Sequence, residues 1–249
     1  MKATVFHKIN LGLHVIEKLS SGYHALETVF YPCRNFEDTI EIIPSSEFSF
    51  TLLNADFHCN NADNLCVKAY RLLQNKYALP PVQIMLTKQI PSGAGLGGGS
   101  ADAALTLKML NTLFSLQLST EQLHAFAAQL GSDVSFFLYG NPMYATGRGE
   151  ILTPVALDLS SYSIEVVCSG ISISTAHAYS AITPKKPKYS LLQIIQSPVE
   201  TWKEFLVNDF EEVIFKQHPK LREIKNELYK KGAVYAAMTG SGSAIFGIF

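Results

Sequence analysis

Charge is scarce in this sequence. Charged residues are 16% of 249, and the two signs nearly cancel to a formal −1. No global field therefore recruits nucleic acid or a membrane surface, and an anionic ligand must be held by local chemistry. Cysteine is equally thin. Cys33, Cys59, Cys66 and Cys168 show no C-x-x-C spacing, which argues against a zinc site or a disulfide framework and for reduced thiols in a cytoplasmic protein. Long apolar runs are missing too. The longest uncharged stretch, residues 166–184, holds too much Ser, Thr, Gly and His to span a bilayer. The opening "MKATVFHKINLGLHV" lacks the uninterrupted apolar core and cleavage site of a signal peptide. Repeats, low-complexity tracts and charge blocks are also absent. What remains is a hydrophobic content of 47%, the profile of a chain that buries a core.

Glycine, by contrast, is crowded into one place. In "IPSGAGLGGGSADAALTLKML", residues 90–110, Gly93, Gly95, Gly97, Gly98 and Gly99 stand just before a helical pattern. Gly orders at the greatest entropic cost, so a dense run before a helix suggests that something approaches the backbone closely. A helix N-terminus offers unpaired N–H groups and a positive dipole end, which suits an anion. A P-loop would need Gly-Lys-Ser/Thr after its glycines, and Gly99-Ser100-Ala101 has no lysine. A dinucleotide fingerprint is formally met by Gly93, Gly95 and Gly98 with Glu121 downstream. Glu121, however, lies in a helix-capping sequence, and the strand before the loop alternates, whereas a buried parallel strand reads as a continuous apolar run.

Around the loop, strands and helices interleave. "INLGLHVIEK" alternates Ile9, Leu11, Leu13 and Val15 with Asn10, Gly12, His14 and Ile16, the period of a half-buried strand. "SSGYHALETVFYP", "DTIEIIP", "FSFTLL" and "VQIMLTKQI" read as further strands. Helices are predicted from Asn64 to before Pro80, over 101–114, and from a Ser119/Gln122 capping box to Gly131. Strands at 143–145 and 151–155 end a first half. The second half opens with "YSIEVVCS". Short helices follow at 175–182, 189–196 and 202–207, then a longer one with Pro219 at its start and Gly232 at its stop. The chain closes with two apolar strands in "AVYAAMTGSGSAIFGIF". Without a strict βαβ rhythm, the expectation is α+β in two lobes, residues 1–157 and 158–249.

The loop "PSGAGLGGGSADAA", with "KINLGLHV" before it and "MTGSGSAIFGIF" after it, resembles the three motifs of the GHMP kinases. "SGYHALETVF", "NLCVKAY", "LGSDVSFFLYG" and "NDFEEV" narrow the resemblance to the members that act on 4-diphosphocytidyl-2-C-methyl-D-erythritol, and it runs from Lys8 to Phe249. It implies a two-lobed GHMP kinase fold, with a ribosomal-protein-S5-domain-2-like N-terminal lobe and a ferredoxin-like C-terminal lobe. It also implies transfer of the ATP γ-phosphoryl group to the 2-hydroxyl of that cytidyl acceptor, in the non-mevalonate route to isoprenoid precursors. Mg²⁺ would be held by phosphates and water, and the enzyme would be a cytoplasmic monomer or weak homodimer. A kinase for homoserine or mevalonate, or a silent nucleotide sensor on the same fold, are the rivals.

Phosphoryl transfer needs charge neutralisation, alignment and a group to take the nucleophile's proton. By resemblance, Pro91, Ser92, Gly93, Ala94, Gly95, Leu96, Gly97, Gly98, Gly99, Ser100 and Ala101 form the ATP loop, with Asn64 on the adenine side. Asn64 also suits a helix cap. Asp102 is read as an acid stabilising the first helical turn. Asp133 matches the catalytic base; as plain sequence, Ser-Asp after a helix stop is more often a cap. Partial burial would raise its pKa and a nearby cation lower it. Lys8, two residues from Asn10 and so on the same strand face, would stabilise the ionising hydroxyl, and Asn10 would hydrogen-bond substrate. An isolated strand lysine otherwise points to water. Tyr23 and Tyr179 would stack on the cytosine, His24 would bond its polar edge, and Thr175 would lie beside the substrate. Gly240, Ser241 and Gly242 match the third motif. His177 reads as a surface residue.

Overall fold

β1 (Lys2–Lys18) and β2 (His24–Pro44) are long strands that pair with each other. They belong to a computed structural model that describes residues 1–54 and 61–249; Cys59 lies outside the described residues. β2 joins what the sequence suggests are two strands. Asp38, where the second of those strands is expected to begin, is fully buried, and its carboxylate accepts the N–H groups of Gln89 and Ile90 at 2.6 and 2.8 Å. A buried acid bonded this way interrupts nothing, because its polar atoms are satisfied inside.

The chain forms two compact units. The first comprises Met1–His7, Phe36–Ser92 and Gly97–Gly140. In it the second half of β2 runs antiparallel to β4 (Val82–Thr87), from Thr39 opposite Thr87 to Pro44 opposite Val82, and β3 (Ser49–Leu52) lies parallel to β4. Among the described residues, the α-helices that accompany these strands are α1 (Leu65–Tyr77), α2 (Gly98–Leu113), α3 (Thr120–Leu130) and α4 (Phe136–Tyr139). α1 buries Cys66, Val67, Ala69, Tyr70 and Leu73. The capping box on α3 is present, with Ser119 and Gln122 each bonding the other's backbone N–H.

The second unit comprises Lys8–Asn35, Gly93–Leu96 and Asn141–Phe249. Here the first half of β2 pairs antiparallel with β5 (Met143–Thr146), and β5 with β6 (Ile151–Pro154). A separate antiparallel sheet has the order β7 (Ile164–Val167), β9 (Ile245–Ile248), β8 (Tyr235–Met238). The helices are α5 (Thr175–Ala181), α6 (Leu191–Ile195), α7 (Trp202–Phe205), α8 (Phe210–Gln217) and α9 (Pro219–Lys230). Tyr235, Ala237, Phe246 and Ile248 share one core with Ile9, Leu11 and Trp202, while Ala236, Met238 and Ile245 face a second with Leu13, Phe210 and Leu228. Burial on both faces explains why these strands read as continuous apolar runs.

β1 is buried on both faces as well, which corrects the half-buried expectation. Its polar residues His7, Lys8, Asn10 and His14 are all enclosed. His14 Nδ1 lies 3.4 Å from Asp209 Oδ1, and Asp209 also accepts the Val15 N–H at 3.0 Å. Among the described residues, no helix is long and apolar enough to cross a membrane.

Candidate active site

In the second unit the glycine loop and the third motif meet as two turns. Gly95 has φ +78°, the left-handed region that side chains avoid. A Cβ there would lie 2.2 Å from the Thr239 carbonyl oxygen, and one on Gly240 would lie 3.1 Å from the Gly95 carbonyl oxygen. The Ala244 N–H donates to the Ala94 carbonyl at 3.0 Å, and the Lys8 N–H to the Leu96 carbonyl at 3.0 Å. Glycine is therefore required at Gly95 by backbone packing.

One polar network runs from these turns into β1. Thr239 Oγ1 accepts the Asn10 N–H at 3.0 Å and donates within reach of Asn10 Oδ1 at 3.1 Å and Gly95 O at 3.3 Å. Asn10 Nδ2 donates to Thr28 Oγ1 at 3.0 Å, and Thr28 donates to the Gly12 carbonyl at 2.5 Å. Lys8 Nζ donates to Asn10 Oδ1 at 2.5 Å and sits 5.1 Å from the Phe30 ring centroid. Lys8 is only 3% exposed, so it is not the water-facing lysine that an isolated strand position suggests. A buried ammonium needs hydrogen bonds and opposite charge, and Asn10 supplies one of those bonds.

The "NDFEEV" stretch gains a role that the sequence does not announce. Asn208 Nδ2 donates to the carbonyls of Met238 and Gly240 at 2.7 and 2.9 Å. Glu211 Oε1 accepts the Met238 N–H at 2.7 Å. Both side chains hold the strand and turn of the third motif. Their partners lie about thirty residues downstream, so local pattern gives no warning of them.

The aromatic residues are arranged as a stack and a separate ring. His24 stacks on Tyr179 with centroids 5.1 Å apart and planes at 27°, and Tyr179 meets Phe210 edge-on at 4.9 Å. Tyr23 is 57% exposed, with the Arg148 guanidinium 5.0 Å over its ring. The ring facing Tyr179 is thus His24. Burial, and then the Lys18 charge, lower the His24 pKa below the ordinary histidine value. Thr175 opens α5, its hydroxyl 3.2 Å from that of Ser241 in the third motif. His177 is exposed and pairs with Gln217, as a surface residue.

In the first unit, α2 begins at Gly98 and not at Ala101. Gly97 (φ +77°) is its N-cap, and intrahelical bonding begins with the Ala101 N–H on the Gly97 carbonyl at 2.9 Å. Gly98, Gly99 and Ser100 therefore form the first turn, where N–H groups have no intrahelical acceptor. Helix propensity penalises two consecutive glycines, which is why the sequence suggests a later start. Glycine at 98 answers to packing: a Cβ there would meet Ile90 Cγ2 at 2.9 Å and Lys88 Nζ at 3.1 Å. At exposed Gly99 the nearest atom to a Cβ, Leu65 Cδ1, is an ordinary 3.6 Å away.

Asn64 caps α1, its Oδ1 accepting the Cys66 N–H at 2.9 Å. Asp133 is half-buried in the turn between Gly131 and α4, next to buried Val134. Asp102 does not act on the first helical turn as expected. It is buried in an ion pair with Lys88, itself paired with Asp38. Among the described residues, no cluster of three His, Cys, Asp or Glu side chains is placed to hold a metal ion.

Comparison with known proteins decides the family. Residues 64–141 match the GHMP kinases N terminal domain, and residues 193–249 match the GHMP kinases C terminal domain. The chain belongs to the GHMP kinases. It is 50% identical over 246 residues to a 4-diphosphocytidyl-2-C-methyl-D-erythritol kinase of Bacteroides thetaiotaomicron, covering 97% of this chain and 89% of that one. A crystal structure of 4-(cytidine 5'-diphospho)-2C-methyl-D-erythritol kinase has a TM-score of 0.84 at 33% identity, over 100% of this chain and 90% of the other. The mevalonate kinase of Methanococcus jannaschii has a TM-score of 0.71 at 15% identity, over 100% of this chain and 90% of that one. That last likeness is one of fold. As a GHMP kinase the chain is an ATP-dependent phosphotransferase of α+β fold.

Proposed function

We propose that this GHMP kinase transfers the γ-phosphoryl group of ATP to the 2-hydroxyl of 4-diphosphocytidyl-2-C-methyl-D-erythritol, a step toward isoprenoid precursors by the non-mevalonate route. The observation that carries the reading is identity of 50% over 97% of the chain with a relative named for that activity.

The residues divide the work as follows. The first-turn N–H groups of Gly98, Gly99 and Ser100, with the helix dipole, bind the nucleotide phosphates. Asn64 lies on the adenine side. When bound with ATP, Mg²⁺ would supply charge neutralisation for the phosphates, with no carboxylate cage of this chain needed to hold it. Asp133 takes the proton of the 2-hydroxyl, and the Lys8 ammonium stabilises the oxygen as it ionises. Asn10 fixes Lys8 through its Oδ1 and has a second amide N–H for the acceptor. Tyr23, His24 and Tyr179 hold the cytosine, and Thr175 adds a hydroxyl to the acceptor side. The N- and C-terminal lobes divide near residue 157, and the enzyme works in the cytoplasm as a monomer or weak homodimer.

The test is a panel assay with ATP and the cytidyl acceptor, free methylerythritol phosphate, homoserine and mevalonate at equal concentration. The cytidyl compound alone is expected to be phosphorylated efficiently. Turnover of homoserine or mevalonate with none of the cytidyl compound would overturn the acceptor and leave the kinase assignment standing. The loop is tested by Gly99→Asp. A carboxylate in the first turn suits a helix by itself and has space here, yet it repels phosphate. ATP binding should be lost with the fold retained, and calorimetry showing unchanged affinity would remove the loop from the site.

A further inference from the structure

Three charges lie beneath the first turn of α2 and take no part in the roles just assigned. Lys88 Nζ donates to Asp102 Oδ2 at 2.7 Å and, by a short bond, to Asp38 Oδ2. All three side chains are buried. Asp38 holds the strand-side stem of the glycine loop through the N–H groups of Gln89 and Ile90. The Asn54 side chain accepts the Lys88 N–H at 2.9 Å and donates to the Lys88 carbonyl. Asp102 belongs to α2, the helix-side stem. The triad thus ties both stems of the loop to one ammonium, against which Gly98 packs.

Stability does not account for it. Burying ions costs several kcal/mol each, and apolar replacements of buried ion triads are often neutral or stabilising. Asp102 Oδ1, moreover, is buried with no hydrogen-bond partner. Burial pushes the Asp102 carboxyl above the carboxylate range against the pull of Lys88. Burial alone would lower Lys88, but Asp102 and Asp38 outweigh it and raise its ammonium. One proton on the carboxylates leaves the group neutral, so it does not repel an anion bound at the turn above.

We infer that Lys88, clamped by Asp38 and Asp102, is a positioning residue for the nucleotide phosphates, fixing the first turn of α2 on the end of β4 so that its N–H groups are preorganised for an anion. The inference rests on the reading of this loop as the ATP site.

The experiment measures dissociation constants for ATP and for adenosine by calorimetry, with thermal unfolding as a fold check. Lys88→Met leaves two buried carboxylates without a cation and is prone to misfold. The decisive protein is therefore Asp38→Asn/Lys88→Met/Asp102→Asn, which carries no buried charge. Its ATP affinity is expected to fall about tenfold or more, with adenosine affinity changed less than about threefold, since only the phosphate contacts depend on the turn. Asp102→Asn, which keeps the Lys88–Asp38 pair but weakens the tie to α2, should lose less ATP affinity than the triple variant; a loss as large as the triple variant's with Lys88 still in place would overturn the role of Lys88. A folded triple variant that binds ATP like the native protein overturns the inference, as does an equal loss for adenosine. Gly99→Asp in parallel separates the two readings: if it abolishes ATP binding while the triple variant does not, only the positioning role of Lys88 falls.

Discussion

Gly95 and Thr239 touch backbone to backbone: a Cβ on the glycine would sit 2.2 Å from the threonine carbonyl oxygen. Two sequence motifs separated by more than half of the chain are thus one packed unit. Gly95→Ala should cost about 1–2 kcal/mol for the left-handed backbone alone, with the clash added to it. At about 2–4 °C per kcal/mol for a chain of this size, melting should drop by several degrees. An alanine variant that melts with the native protein would show that the turns separate without cost.

For Asp133, the expected outcome is a loss of chemistry with binding retained. Asp133→Asn should lower kcat by about 10²–10⁴ and leave the ATP dissociation constant near native. Turnover at nearly the normal rate would reduce Asp133 to a residue of the turn before α4.

The base platform can be split residue by residue. Stacking is worth about 1–3 kcal/mol per base, so Tyr179→Ala should weaken acceptor use by roughly 5- to 150-fold and spare ATP. Because Tyr179 already packs on His24 and Phe210, the same change should also disturb His24. Loss in Tyr23→Ala with none in Tyr179→Ala would keep the acceptor and move the second stacking face elsewhere.

Protonation of His24 gives a pH test. Its pKa is lowered from 6.5, first by burial and then by Lys18, so the neutral ring is the form the folded site favours. Whatever the neutral ring contributes is complete above pH 6.5 and is lost as pH falls below that value. KM for the cytidyl acceptor should be flat from about pH 8 to 6.5 and rise in acid, and His24→Gln should remove the rise. An identical acid limb in that variant would assign the titration to another group.

The parts of this molecule that were legible in the sequence are those whose causes are local. The Ser119–Gln122 capping box, the Gly131 stop and the two C-terminal strands follow from neighbours a few residues apart. Lys8 and Asn10 share a face because strand geometry alone puts i and i+2 on one side, and a 2.5 Å bond joins them. The unexpected features depend on distant partners. Asn10 and His14, enclosed in β1, meet Thr28, Thr239 and Asp209, and Asp38 is kept inside the long β2 because Lys88 and the 89–90 backbone come to meet it. Asp102 reads as a helix-end acid for the same reason: its partner is fourteen residues upstream. α8 leaves no helical signature in the sequence because its buried positions, Phe210, Ile214 and Phe215, are too few to establish a period by themselves.

The interleaving of the two units has a consequence for how the chain is made. Asn10 finds its Thr239 partner 229 positions later. At roughly 5–20 residues per second of synthesis, on the order of ten to fifty seconds separate the two on the ribosome. Every residue of the first unit exists once Gly140 has emerged, whereas Ile9 and Leu11 have only Val29 and Cys33 of their core by then and must wait for the rest, from Leu159 to Ile248. During that interval residues 8–15, all buried in the finished protein, leave apolar side chains without most of their cover. Ribosomes stalled after residue 140 should therefore display a protease-resistant first unit and a sensitive 8–18 segment, making this segment the natural client of a chaperone and the place where misfolding begins.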